Sequence, residues 1–141
     1  MLKNFYKFSY TTGTMFLILS ILMSFIPSLP ASAAAGAIWT TTSGCGAPQN
    51  DNQYIPGNDV YIHYHNFVEG VTFTWNITGV SGPDKNVVVA SGSDTVTYEY
   101  ANNTEGCFWA YTIQPDDDGT YKASLTPEGG TAKTDNYIVQ G

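Results

Sequence analysis

The chain has 141 residues and a formal net charge of −7, with 12 acidic residues against 5 basic ones. All 5 basic residues are lysines, so Arg is absent, and such a surface excludes nucleic acid and anionic lipid as partners, since both are held by Lys and Arg against phosphate. The length suits one domain built around one core.

The chain opens with Lys3 and Lys7, runs through the apolar stretch MFLILSILMSFIPSL, and reaches Pro30 and the small residues Ala31-Ser32-Ala33-Ala34. That order reads as a secretory signal peptide over residues 1–33, with cleavage after Ala33 and a mature domain over 34–141. Ser20, Ser24 and Pro27 interrupt the apolar run and leave it shorter than a membrane span, so the product is expected not to stay membrane-embedded after cleavage. The mature part keeps Lys85, Lys122 and Lys133 against all 12 acidic residues, a formal charge of 3 − 12, or −9. Export to the cell surface or beyond places Cys45 and Cys107, the only two cysteines, where disulfides persist. With two cysteines only one intramolecular pairing exists. Closing so long a loop is worth about 4 kcal/mol in the chain-entropy model.

From Ile38 onward the pattern has period two and no helical spacing, which predicts an all-β domain. Strands are expected at 38–42, 59–67, 71–78, 86–90, 95–100, 107–114, 119–125 and 133–139. The clearest is 71–78, where Val71, Phe73, Trp75 and Ile77 alternate with polar residues. The short link Val68-Glu69-Gly70 predicts that 59–67 and 71–78 form a hairpin. Ser91-Gly92-Ser93-Asp94 and Pro115-Asp116-Asp117-Asp118 have the composition of turns. About seven to eight short strands with regular turns argue for an antiparallel sandwich or a small barrel.

Asp117-Asp118-Gly119-Thr120-Tyr121-Lys122-Ala123 resembles the D-x-G-x-Y-x-C stretch of immunoglobulin-like domains, with Ala123 where antibody-type domains carry Cys. Residues 57–70 (GNDVYIHYHNFVEG) are similar to the opening pattern of immunoglobulin-like modules in prokaryotic secreted and surface proteins, with Tyr64 replacing a usual Gly. The resemblance covers about a third of the mature chain. It implies an Ig-like sandwich in which Asp117, Gly119 and Tyr121 form a structural corner and Trp75 lies on strand C, and it implies no activity. A prealbumin-like sandwich fits the strand count nearly as well.

His63 and His65 share a strand face, and an H-x-H pair can supply two ligands to Zn or Cu; two are too few for a usual zinc site. The alternative reading has Val60 and Ile62 facing the core while Tyr61, His63, His65 and Phe67 cover the outer face. Asp116-Asp117-Asp118-Gly119 carries oxygen ligands for Ca²⁺ but equally the composition of a turn. Asn76-Ile77-Thr78 and Asn102-Asn103-Thr104 are glycosylation acceptor patterns. Tyr98, Tyr100, Trp109 and Tyr111 would make a sugar-stacking platform if they shared an exposed face, although a small sandwich needs bulky side chains inside. No catalytic motif is present, and no cofactor is implied. The composition and pattern lead to a non-enzymatic secreted or cell-surface module that binds or displays an extracellular protein or glycan. The alternatives are a structural subunit of a surface assembly, or a small metal-binding protein using His63 and His65.

Overall fold

In the computed structural model, residues 36–46 and 51–141 are described; the expected signal peptide, 1–33, lies outside them. Eight strands form among the described residues: β1 (Ala37–Thr41), β2 (Gln53–Tyr54), β3 (Asp59–His65), β4 (Thr72–Gly79), β5 (Val88–Thr95), β6 (Glu105–Thr112), β7 (Gly119–Pro127) and β8 (Lys133–Val139). They make a three-stranded sheet, β1-β3-β6, and a five-stranded sheet, β2-β8-β7-β4-β5. All pairings are antiparallel except β2 with β8. The expected all-β sandwich with one disulfide is therefore the observed architecture, and no helix among the described residues is long and apolar enough to cross a membrane.

The core lies between the sheets and follows from strand alternation. Val60 and Ile62 from β3 and Phe73 and Ile77 from β4 are buried, as are Tyr121, Ala123 and Leu125 from β7 and Tyr137 and Val139 from β8. Phe108 of β6 packs against Phe73 and Trp75 of β4, with ring centroids 5.7 and 5.2 Å apart, and so joins the two layers. At the other side, the Thr40 backbone N–H and Oγ1 of β1 each donate to Asp135 Oδ2 of β8 at 2.9 Å. That bond pair closes the sandwich along the edge of β1 and satisfies a fully buried hydroxyl.

Four expectations are corrected. The segments around 59–67 and 71–78 are not a hairpin: β3 pairs with β1 and β6, whereas β4 pairs with β5 and β7. Asn66 (φ 57°) and Gly70 (φ 81°) turn the chain out of the first sheet and into the second, and Phe67 is buried in the core rather than on the outer face. Residues 86–90 and 95–100 are not two strands around a turn. Ser91-Gly92-Ser93-Asp94 lies inside β5, an edge strand whose mostly exposed positions do not require apolar residues. The strand count still reaches eight because β2 forms within the loop after Cys45, where Tyr54 is buried against Tyr137. Finally, a bulge between Val60 and Tyr61 pairs Val60 with Tyr111 and Tyr61 with Trp109, so Trp109 and Tyr111 do not share a face.

Candidate functional site

With Val60, Ile62 and Tyr64 turned to the core, the intervening residues of β3 and their register partners take the outer face of the three-stranded sheet. Three cross-strand rows result: Ala37–His65–Glu105, Trp39–His63–Cys107 and Thr41–Tyr61–Trp109. This face is not simply solvated. Thr41 and His63 are fully buried and Glu105 is 8% exposed, beneath the Trp39 ring and the disulfide from Cys45 to Cys107. Trp39 stacks on His63 with centroids 5.3 Å apart and an interplanar angle of 22°.

The three polar groups form a chain. His63 Nδ1 hydrogen-bonds with Glu105 Oε1, and Nε2 lies 2.7 Å from Thr41 Oγ1. Thr41 Oγ1 also donates to the Gly44 carbonyl at 3.3 Å, which binds the loop carrying Cys45 to β1. Cys107 Sγ is 3.6 Å from His63 Nε2. Carboxylate, imidazole and hydroxyl stand in the order of a nucleophilic triad. Thr41 has no exposed surface, so here the chain satisfies buried polar atoms and ties β1, β3, β6 and the disulfide loop together.

Around this centre lies an aromatic rim. Trp39 and His65 meet edge to face at 5.5 Å, Tyr61 is half-buried, and Trp109 is 54% exposed. Trp109 Nε1 and Thr112 Oγ1 both donate to Asp59 Oδ1, at 3.1 and 2.6 Å. The Thr112 bond, then the Trp109 bond, holds the Asp59 carboxyl below its ordinary range, and together they orient the exposed indole.

His63 and His65 do share a face, but both ring nitrogens of His63 are engaged by Glu105 and Thr41. Among the described residues no group of three or more metal-ligating side chains comes together. Asp117 turns inward: Oδ2 accepts from the Gln114 N–H at 2.7 Å and from Tyr111 at 2.9 Å, while Asp116 and Asp118 are exposed. The Tyr121 hydroxyl donates to Asp84 at 2.7 Å and reaches Asp117 at 3.3 Å, beside Gly119 at φ 102°. Asn76 is on β4, its side chain accepting from Thr78, and Asn102 is exposed in a loop at φ 62°. The proposed platform is dispersed. Tyr98 is past the end of β5 and binds the Phe67 backbone at 2.6 Å, Tyr111 is drawn to Asp117, and Trp109 is on the outer face.

Sequence reasoning did not find Trp39, Thr41 and Glu105. Glu105 is 42 residues from His63, and nothing short of the register of β3 against β6 brings them together.

No family model matches the chain, and no curated protein matches it. Among solved structures, a β-glucosidase from Listeria innocua in complex with glucose is similar at TM-score 0.43 and 9% identity, over 77% of this chain and 16% of that one. The chain thus spans under a fifth of that enzyme's length. The same enzyme in another structure gives TM-score 0.44 at 8% identity. A chain from a structure on T cell specificity and activation by the bacterial superantigen toxic shock syndrome toxin-1 is similar at TM-score 0.39 and 12% identity, over 74% of this chain and 98% of that one.

Proposed function

We propose that this chain is a non-enzymatic immunoglobulin-like module of a secreted or cell-surface protein, binding an extracellular protein or glycan through the outer face of β1-β3-β6. The strand order supports the Ig-like reading. With β3, β4, β6, β7 and β8 taken as B, C, E, F and G, one sheet is A-B-E, and the other places C, F and G side by side with β5 as an added C′ edge. The Tyr121 hydroxyl reaches back to Asp117 at the start of β7, as in a tyrosine corner, but meets the carboxylate where that corner uses the backbone. The disulfide and the export pattern support an oxidising, extracellular setting.

The observation that carries the binding reading is the aromatic rim on a disulfide-anchored sheet. Tyr61 and Trp109 are partly open on the sheet face that also carries Trp39, and the Trp109 ring is pre-oriented by Asp59. Large aromatic side chains held in place lose little entropy on binding and bury much area. The test is a glycan array and an envelope-fraction pulldown with the wild-type mature domain and with Trp109→Ala. Capture that falls at least about tenfold in the variant supports the face; no capture in either format, or capture indifferent to Trp109, overturns it.

A second reading, a structural subunit, is favoured by β5. It is a sheet edge, largely exposed, and its own residues include no Lys or Pro to block strand addition. Sizing over a concentration series separates the two, since a strict monomer at high concentration contradicts assembly.

A further inference from the structure

The binding reading does not use the contact between the disulfide and His63. Cys107 Sγ lies 3.6 Å from His63 Nε2, and Glu105 holds the opposite nitrogen of the same ring. Glu105, His63 and Cys107 therefore form a carboxylate–imidazole–sulfur chain in which the sulfur is capped by Cys45. We infer that Cys45–Cys107 is a thiol-exchanging disulfide, with Cys107 the sulfur that leaves, His63 the group that receives it and Glu105 the positioning residue.

The geometry distinguishes the two sulfurs. Cys107 belongs to β6 and sits in the row with His63 and Trp39, whereas Cys45 belongs to the loop beyond β1, next to the exposed Gly46. An external thiol ionises and its thiolate attacks Cys45 Sγ. The new sulfur–sulfur bond forms as the Cys45–Cys107 bond breaks, and the electron pair of the broken bond stays on Cys107 Sγ. The proton given up by the external thiol goes to solvent, and the Nε2–H of His63, released from Thr41 Oγ1, donates a hydrogen bond to the Cys107 thiolate. A second external thiol then displaces Cys45 from the mixed disulfide. In sum two thiols are oxidised to a disulfide and the protein disulfide is reduced by two electrons; the reverse direction oxidises a partner dithiol.

A neighbouring protonated imidazole stabilises a thiolate, and a thiol that ionises more readily is a better leaving group. The groups meeting the His63 ring are Glu105 and Cys107 from β6 and Thr41 and Trp39 from β1. Glu105 is the acidic member of that set, and its bond to Nδ1 fixes the ring with Nε2 toward Cys107. In the oxidised state Thr41 Oγ1, at 2.7 Å, occupies the same nitrogen, so the hydroxyl must yield to the thiolate when the bond opens.

The experiment uses the oxidised, folded domain with glutathione under native conditions, quenched early and mapped by peptide mass. The glutathione adduct is expected on Cys45, and the second-order rate constant is compared between wild type and variants at one pH. In Glu105→Gln, which keeps the size of the side chain, the rate should drop roughly tenfold, because the leaving sulfur loses the oriented imidazole. A loop merely loosened by the substitution would react faster, so the sign of the change separates assistance from destabilisation. His63→Gln, which removes the ring nitrogen beside Cys107 Sγ, should lower the rate by a similar factor. An adduct on Cys107, an even split, or a rate unchanged or raised in Glu105→Gln overturns the inference. The wild-type readouts stand whether or not the variants fold.

Discussion

Tyr64 packs its ring over Gly106, its register partner on β6, and its hydroxyl donates to the Thr97 carbonyl at 3.1 Å while accepting the Thr97 N–H at 3.2 Å. A Cβ at Gly106 would overlap that ring. Tyr64 thus occupies the space that a side chain at position 106 would need. It is 3% exposed, so it fills the core and does not shape a binding face. Gly106→Ala is expected to destabilise the domain by about 1–3 kcal/mol through overpacking, read as a lower denaturant midpoint with an unchanged slope. The same device recurs where Trp75 covers Gly92, with a Cβ position 2.8 Å from the indole.

Asp135 receives two bonds from Thr40 across the sandwich. Asp135→Ala leaves the buried Thr40 hydroxyl and N–H without that acceptor, an expected loss of about 1–3 kcal/mol per unsatisfied group. Urea unfolding checks it, and a loss below about half a kcal/mol would mean that water replaces the carboxylate.

The cross-link joins positions 62 residues apart. The double substitution Cys45→Ala and Cys107→Ala should lower stability by about 2–5 kcal/mol. The loss is expected to be largest where the chain leaves β1, and hydrogen exchange should show earlier opening at Thr41 and His63 than in β7.

Burial holds the phenols of Tyr54, Tyr121 and Tyr137 above the ordinary tyrosine range, and Tyr111 is raised by burial and then by its bond to Asp117. In the unfolded chain these groups ionise near pH 10. Their folded values are raised, so their contribution is fully present below that pH and is lost as pH rises beyond it, by about one proton per buried phenol. The expected outcome is a cooperative alkaline transition in which phenolate absorbance and loss of near-ultraviolet circular dichroism coincide. Smooth ionisation of these tyrosines with the fold retained would contradict it.

Local features were legible in the sequence. Alternation at 71–78, 119–125 and 133–139 matched β4, β7 and β8 because each buries one face, and the disulfide followed from there being only two cysteines. What required pairing partners was not legible. A short link looks the same whether it joins neighbours in one sheet or crosses between sheets, and Ser91-Gly92-Ser93-Asp94 has turn composition because an edge strand tolerates it. The burial of His63 depends on Trp39, Cys45 and Glu105, which three separate segments deliver. The displacement of Tyr111 depends on one bulge.

We propose an exported, cross-linked sandwich that acts outside the cell. Its most direct test is the intact mass of the protein recovered from medium and envelope, alkylated with and without prior reduction. The expected mass begins at Ala34, with both cysteines protected until reduction. A full-length mass, or two thiols alkylated without reduction, would contradict it.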